Sequence, residues 1–140
     1  MSEGTKGFEV KNFKQVLVMR KSFPGKDGNP RKLRTGKYIA QAAHASMGVI
    51  LDHFMKDGKL DMQGMEEWFV GHFTKVAVGV EDEAGLMEIH QAAIKAGLPV
   101  KLIQDSGTTE FDGVITATCL AIGPARCEEI DKITGHLSLM

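Results

Sequence analysis

Lys37, Gln41, His44 and Gly48 stand at i, i+4, i+7 and i+11 of one stretch. On a helix that spacing lays them along a single polar seam of an otherwise apolar, small-residue surface. Lys37 falls in the first turn, where the helix dipole favours anions and disfavours a cation. A lysine there either meets a negative partner or reaches into solvent. His44, deeper in the seam, is a candidate ligand contact or a hydrogen-bonded core histidine. A second stretch is Leu102-Ile103-Gln104-Asp105-Ser106-Gly107-Thr108-Thr109-Glu110. It sets an acid and a run of small and hydroxyl residues directly behind an apolar strand pattern. α/β proteins keep their ligand sites at such strand ends. The structural alternative is an Asx-turn in which Asp105 binds its own backbone amides.

Other chemistries fit poorly. The five histidines include no HExxH pair and the two cysteines no CxxC, so no metal site is expected. The segment after the first strand, Pro24-Gly25-Lys26-Asp27-Gly28, matches neither a Walker loop nor GxGxxG. Cys119 lies inside an apolar run and reads as buried rather than nucleophilic.

The elements that must position these residues alternate along the chain. Phe13 to Met19 is a β-branched apolar run, read as a buried strand. Breakers at Pro24-Gly25, Asp27-Gly28 and Asn29-Pro30 make 22–35 a loop. Helical periodicity runs from Gly36 to about Met55 and closes at Asp57-Gly58. Asp61 is expected to cap a shorter helix through Val70. Residues 73–80 form a second strand, and Asp82 caps a helix through Ala96 that ends at Gly97. Val100–Gln104 and Thr116–Ile122 are further strands, and Pro124 is expected at the start of the last helix. Strands alternating with helices predict an α/β sheet covered on both faces.

At 140 residues the chain is long enough for one core without disulfide or metal staples. The predicted organisation is an N-terminal tail, 1–12, and a single domain, 13–140. The apolar run Tyr38 to Leu51 is too short to cross a bilayer, and Met1 to Thr5 lack a signal pattern. Two cysteines suit a reducing compartment, so a cytoplasmic location is expected. The net charge of −1 conceals an asymmetry. Residues 1–37 hold ten bases and three acids, whereas 38–140 hold seven bases and fifteen acids. A basic stretch on an acidic body reads as a local anion site, or as a solvated loop.

Taken together, these stretches resemble a known family. Gly36-Lys37-Tyr38-Ile39-Ala40-Gln41-Ala42-Ala43-His44-Ala45 looks like the GKxxAQxxHA helix start of the type II peptidyl-tRNA hydrolases. Leu102 to Thr109 is similar to that family's LIxDAGRT strand and turn. Ala121-Ile122-Gly123-Pro124 and Asp131 to Leu139 resemble its AIGP and DKVTGxLxL segments, and Trp68 and Gly71–Val76 also match in order. The resemblance covers about 13–140. It implies a three-layer α/β/α sandwich around a mixed four-stranded sheet. It also implies metal-independent hydrolysis of the ester between peptide and tRNA, with no cofactor. By the resemblance, Lys37, Asp105 and Thr109 are the catalytic residues. It also places Gln41 and His44 in the same cleft; Gly107 and, from the basic stretch, Arg20, Lys32 and Arg34 are the further candidates for binding the substrate. Peptidyl-tRNA is the implied partner, with no membrane and no metal; a homodimer stays open.

Ester hydrolysis needs an activated water, a donor at the developing oxyanion and a proton for the leaving ribose oxygen. Asp105 is the candidate for the water, through Thr109. Lys37 is the candidate for the oxyanion or the terminal phosphate. Two positions depart from the family: its arginine is replaced by Thr108, and its usual glutamine by Glu110. The basic residues Lys26, Arg31, Lys32 and Arg34 of a longer loop could restore the lost positive charge. A non-catalytic module binding tRNA or a protein through that loop is the alternative reading.

Overall fold

The run Phe13–Arg20 forms β1, one of two inner strands of the main sheet in a computed structural model that describes residues 12–106, 111 and 113–140. Its period-two alternation serves both faces: Val16 and Val18 point into one core, and Leu17 and Met19 into the other. Two residue pairs, β2 (Phe23–Pro24) and β3 (Pro30–Arg31), close a small hairpin within the segment expected to be loop. The long helix α1 spans Thr35–His53. It ends in a second small hairpin, β4 (Met55–Lys56) and β5 (Lys59–Leu60). Asp57 and Gly58 both take positive φ there, the backbone that a two-residue hairpin turn needs. Then come β6 (Lys75–Val80), α2 (Glu83–Lys95), β7 (Val100–Asp105), β8 (Thr116–Arg126) and α3 (Cys127–Thr134).

The sheet order is β6-β1-β8-β7. β1 and β6 are parallel, while β8 runs antiparallel to both β1 and β7. This is the mixed four-stranded sheet that the resemblance implied. Leu86, Ile89 and Ala93 of α2 and Ile130 and Ile133 of α3 pack on one face. Ala45 and Val49 of α1 pack on the other, against Met19, Cys119 and Ala121. The result is an α/β fold of three layers. Asp82 caps α2 as expected, its carboxylate accepting from the Gly85 amide at 3.0 Å. The C-terminus returns to the β6 edge, where Gly79 N–H donates to Ser138 and Met140 N–H to Ala77. That cover satisfies an otherwise open strand edge.

Two local expectations need correction. Pro124 does not start a helix; β8 continues through it to Arg126, and α3 begins at Cys127. The register between β1 and β8 slips between Lys14 and Val16, so Gly123 and Pro124 together oppose Gln15. A proline is tolerated in a strand at such a bulge, because it is spared a ladder hydrogen bond. Gly123 is required there: its φ is 100°, and an added Cβ would lie 2.6 Å from the Lys14 carbonyl oxygen. Asp61 likewise does not cap a helix through Val70. Its carboxylate accepts from the Gln63 amide in a local turn, and Gln63 and Gly64 at positive φ break the helical path. The helical segment that follows closes as a π-helical turn, Trp68–His72, anchored by the buried Trp68, whose Nε1 donates to Thr74 O at 2.7 Å. The expected N-terminal tail lies outside the described residues except for Asn12, whose carbonyl accepts from Cys127 N–H.

Gln15 is fully buried and binds three elements together. Its Nε2 donates to Ser46 O of α1 and Gly123 O of β8, each at 3.3 Å, and its Oε1 accepts from Ser46 Oγ at 2.6 Å. Gln15→Ala removes all three bonds from a fully buried position. Urea denaturation should show a loss of about 2–3 kcal/mol with an unchanged m-value.

Candidate active site

The N-terminal turn of α1 and the C-terminal end of β7 meet in a cleft of about 580 Å³. Lys37, Gln41 and His44 line one wall; Lys101 to Ser106 line the other. Lys37 Nζ lies 2.5 Å from Asp105 Oδ2, with the two side chains 17% and 8% exposed. The low exposure matters because an ion pair largely removed from water loses little to screening. It also explains the lysine at a helix start: the carboxylate sits beside both the ammonium and the positive end of α1. α1 has no side-chain cap at Arg34 and no acid of its own in the first turn. Asp105 supplies from another element the negative charge that this end lacks.

The depth of the cleft is set by Gln41. It is buried, and its Nε2 donates to Thr118 Oγ1 of β8 at 2.9 Å. Its backbone carbonyl accepts from Cys119 Sγ at 3.3 Å. Thr118 itself reaches toward Ile103 O of β7 at 3.4 Å. One short polar chain therefore joins α1, β8 and β7 at the cleft that holds the ion pair. At the far end of the seam, Gly48 leaves room for the stem of Lys101. A Cβ there would lie 3.1 Å from Lys101 Cγ, and Lys101 Nζ pairs with Asp52 at 2.8 Å. His44 is exposed on the cleft wall.

The structure thus brings Lys37, Gln41, His44 and Asp105 together. Gly107 and Thr109 lie outside the described residues. Lys32 and Arg34 are exposed on the segment leading into α1. Arg20 lies apart from the cleft and is buried. Its Nε donates to Ser22 O and its Nη1 to Ala117 O, and its guanidinium lies 4.3 Å from the Phe23 ring centre. Burial lowers the Arg20 pKa while Glu83 and Asp82 raise it. Tyr38 shares its hydroxyl proton between Arg20 O and Lys21 O, and burial pushes its pKa up. Sequence reasoning missed Thr118 and Lys101. Thr118 is the polar residue in the middle of an apolar strand run, and that break in pattern was the available signal. Among the described residues, no group of three His, Cys, Asp or Glu is arranged to hold a metal ion.

Comparison with known proteins identifies the family. Residues 13–140 match the family model described as Peptidyl-tRNA hydrolase PTH2, and the chain belongs to that family. It is 41% identical to a peptidyl-tRNA hydrolase of Methanopyrus kandleri over 128 residues, covering 91% of this chain and 98% of the relative. It is 40% identical over the same length to a peptidyl-tRNA hydrolase of Thermococcus onnurineus, again covering 91% and 98%. A probable peptidyl-tRNA hydrolase 2 of Drosophila melanogaster is 36% identical over 129 residues, which are 92% of this chain and 62% of that protein.

Cys119 is not available to this chemistry. It is fully buried behind Gln41, and desolvation pushes its thiol up to about 12. In a Cys127→Ser variant, a thiol reagent at pH 8 should label nothing in the native protein and one cysteine after unfolding in guanidinium. Stoichiometric native labelling would contradict the burial.

Proposed function

We propose that this chain hydrolyses the ester joining a peptide to the terminal ribose of a tRNA. The observation that carries the proposal is the Lys37–Asp105 ion pair, set at an open cleft between a helix start and a strand end. In the reaction Asp105, assisted by Thr109, takes a proton from water as its oxygen adds to the ester carbonyl carbon. The carbonyl electron pair moves onto oxygen, and the Lys37 ammonium balances that charge. Collapse of the adduct breaks the bond to the ribose oxygen, which leaves with the proton held by the site. Gln41 holds the seam in register, His44 and Gly107 contact the acyl or ribose portion, and no metal enters any step. Arg20 adds positive charge from within the protein, while Lys32 and Arg34 face the acceptor stem. No helix among the described residues is long and apolar enough to cross a membrane. A cytoplasmic setting, where peptidyl-tRNA arises, fits this chemistry.

Release of labelled peptide from purified peptidyl-tRNA tests the reading. Lys37→Ala and Asp105→Ala should each slow turnover about a hundredfold, or about 3 kcal/mol of transition-state stabilisation. Each change removes one partner of a largely buried ion pair, so melting curves must accompany the rates. Near-normal turnover in both folded variants would contradict the assignment.

The basic segment is assigned to the phosphates. Residues 20–37 carry seven bases and one acid on a protein whose remainder is acidic. Each phosphate neutralised releases counterions and contributes about 0.7–0.9 to the slope of log affinity against log salt. Replacing Lys26, Arg31, Lys32 and Arg34 by Ser should remove about three phosphate contacts and so reduce that slope by about two to three units. KM should rise while kcat stays near its original value, because such contacts bind ground and transition states alike. An unchanged slope would make the segment a solvated surface.

A further inference from the structure

A second cavity, of about 390 Å³, opens beside the β2–β3 hairpin. Thr116 lines it, and Thr116 is the cross-strand partner of Asp105. The cavity and the cleft share no lining residue, and this backbone pair is what links their walls. Both open where β1 and β7 end and β8 begins. The chemistry of its lining is mixed in a particular way. Lys26 and Arg31 bring positive charge from the hairpin, beside the buried Arg20 that also lines the cavity and interacts with Glu83, and the Arg31 guanidinium lies 5.4 Å from the Phe111 ring centre. Val114 and Ile115 leave their aliphatic side chains 62% and 69% exposed. Glu83, in the first turn of α2, is the carboxylate on the opposite wall.

A segment of apolar peptide would have no use for two cations. A phosphate alone would have no use for the aliphatic pair, and Glu83 would repel it. A nucleotide uses all three: a base has an apolar face, a phosphate beside it, and an edge of donors or acceptors. We propose that this cavity holds the unpaired nucleotide adjoining the esterified terminal adenosine of the tRNA. This rests on the hydrolase reading above and assigns its next subsite. Val114 and Ile115 cover the face of the base. Lys26 and Arg31 hold the phosphate joining it to the terminal adenosine. Glu83 accepts from the exocyclic amino group. Transfer RNAs end in C-C-A, so the nucleotide is cytidine, whose N4 amino group donates where uracil would present an oxygen. The hairpin thereby supplies cations to a chain that carries Thr108 where the family pattern has an arginine.

The test compares the N-acetyl-phenylalanyl esters of adenosine, cytidylyl-adenosine and uridylyl-adenosine as substrates of the full chain. In the wild-type protein, kcat/KM should rise about tenfold or more from the adenosine ester to the cytidylyl-adenosine ester, with a smaller gain for the uridylyl form. Lys26→Ser with Arg31→Ser should lose most of that gain. Lys32→Ser with Arg34→Ser, which lie outside the cavity lining, should keep it. Glu83→Gln should bring the cytidylyl and uridylyl esters within about twofold of each other, because an amide can donate as well as accept. No gain from cytidine in the wild-type protein, or equal losses in the two paired variants, overturns the nucleotide subsite and leaves the hydrolase reading standing. Failure to hydrolyse any of the esters and intact peptidyl-tRNA overturns that reading, and the subsite with it.

Discussion

The Gln41–Thr118 hydrogen bond, sealed between α1 and the sheet, fixes the height and rotation of the helix whose first turn carries Lys37. A buried amide without its partner costs about 1–3 kcal/mol, so the helix has one favoured seat on the strands. In that seat Lys37 faces Asp105, and the unfavourable meeting of a lysine with the positive end of a helix becomes a three-part arrangement of cation, dipole and carboxylate. Gln15 and Ser46 perform the same service about one and a half turns further along. The helix is otherwise held by Ala45 and Val49, small side chains that pack well but specify position weakly. Polar contacts supply the register, and apolar area supplies the stability.

The sheet contributes the other half of the site. β8 is buried from Thr116 to Ala125 and pairs with strands on both sides, so it is the rigid element between β1 and β7. Asp105 ends β7 opposite Thr116, which anchors the carboxylate to the most enclosed strand of the molecule. Charge is mixed at this end of the sheet: bases gather on the hairpin and the segment before α1, and Glu81, Asp82 and Glu83 follow β6 beside Arg20.

Much of this was legible in the residues. The seam Lys37-Gln41-His44-Gly48 was readable because helical spacing is a local property, and Lys37 stood out because its position is locally unfavourable. Asp105 was readable as an acid at a strand end. Their pairing came from no spacing, since sixty-seven residues of intervening fold bring them together; only the family resemblance joined them. Pro124 misled for the opposite reason. Its local preference for a helix start is sound, but the bulge opposite Gln15 is a property of strand pairing, which no window of sequence contains. Arg20, one more base in a basic run, turned out to be held by two backbone carbonyls beneath the hairpin, because burial depends on the tertiary fold. Thr118 escaped notice because a threonine suits a strand by propensity, and its hydroxyl gains meaning only when Gln41 lies above it.

The central claim is that Lys37 and Asp105 act as one unit. A double-mutant cycle on the single-turnover hydrolysis of peptidyl-tRNA tests it most directly, comparing Lys37→Ala, Asp105→Ala and the doubly substituted chain. Groups that work together lose their effect together, so the double variant should be about as slow as the slower single variant. Losses that multiply, with the double variant slower by the product of the two single effects, would contradict the account and make the residues independent contributors.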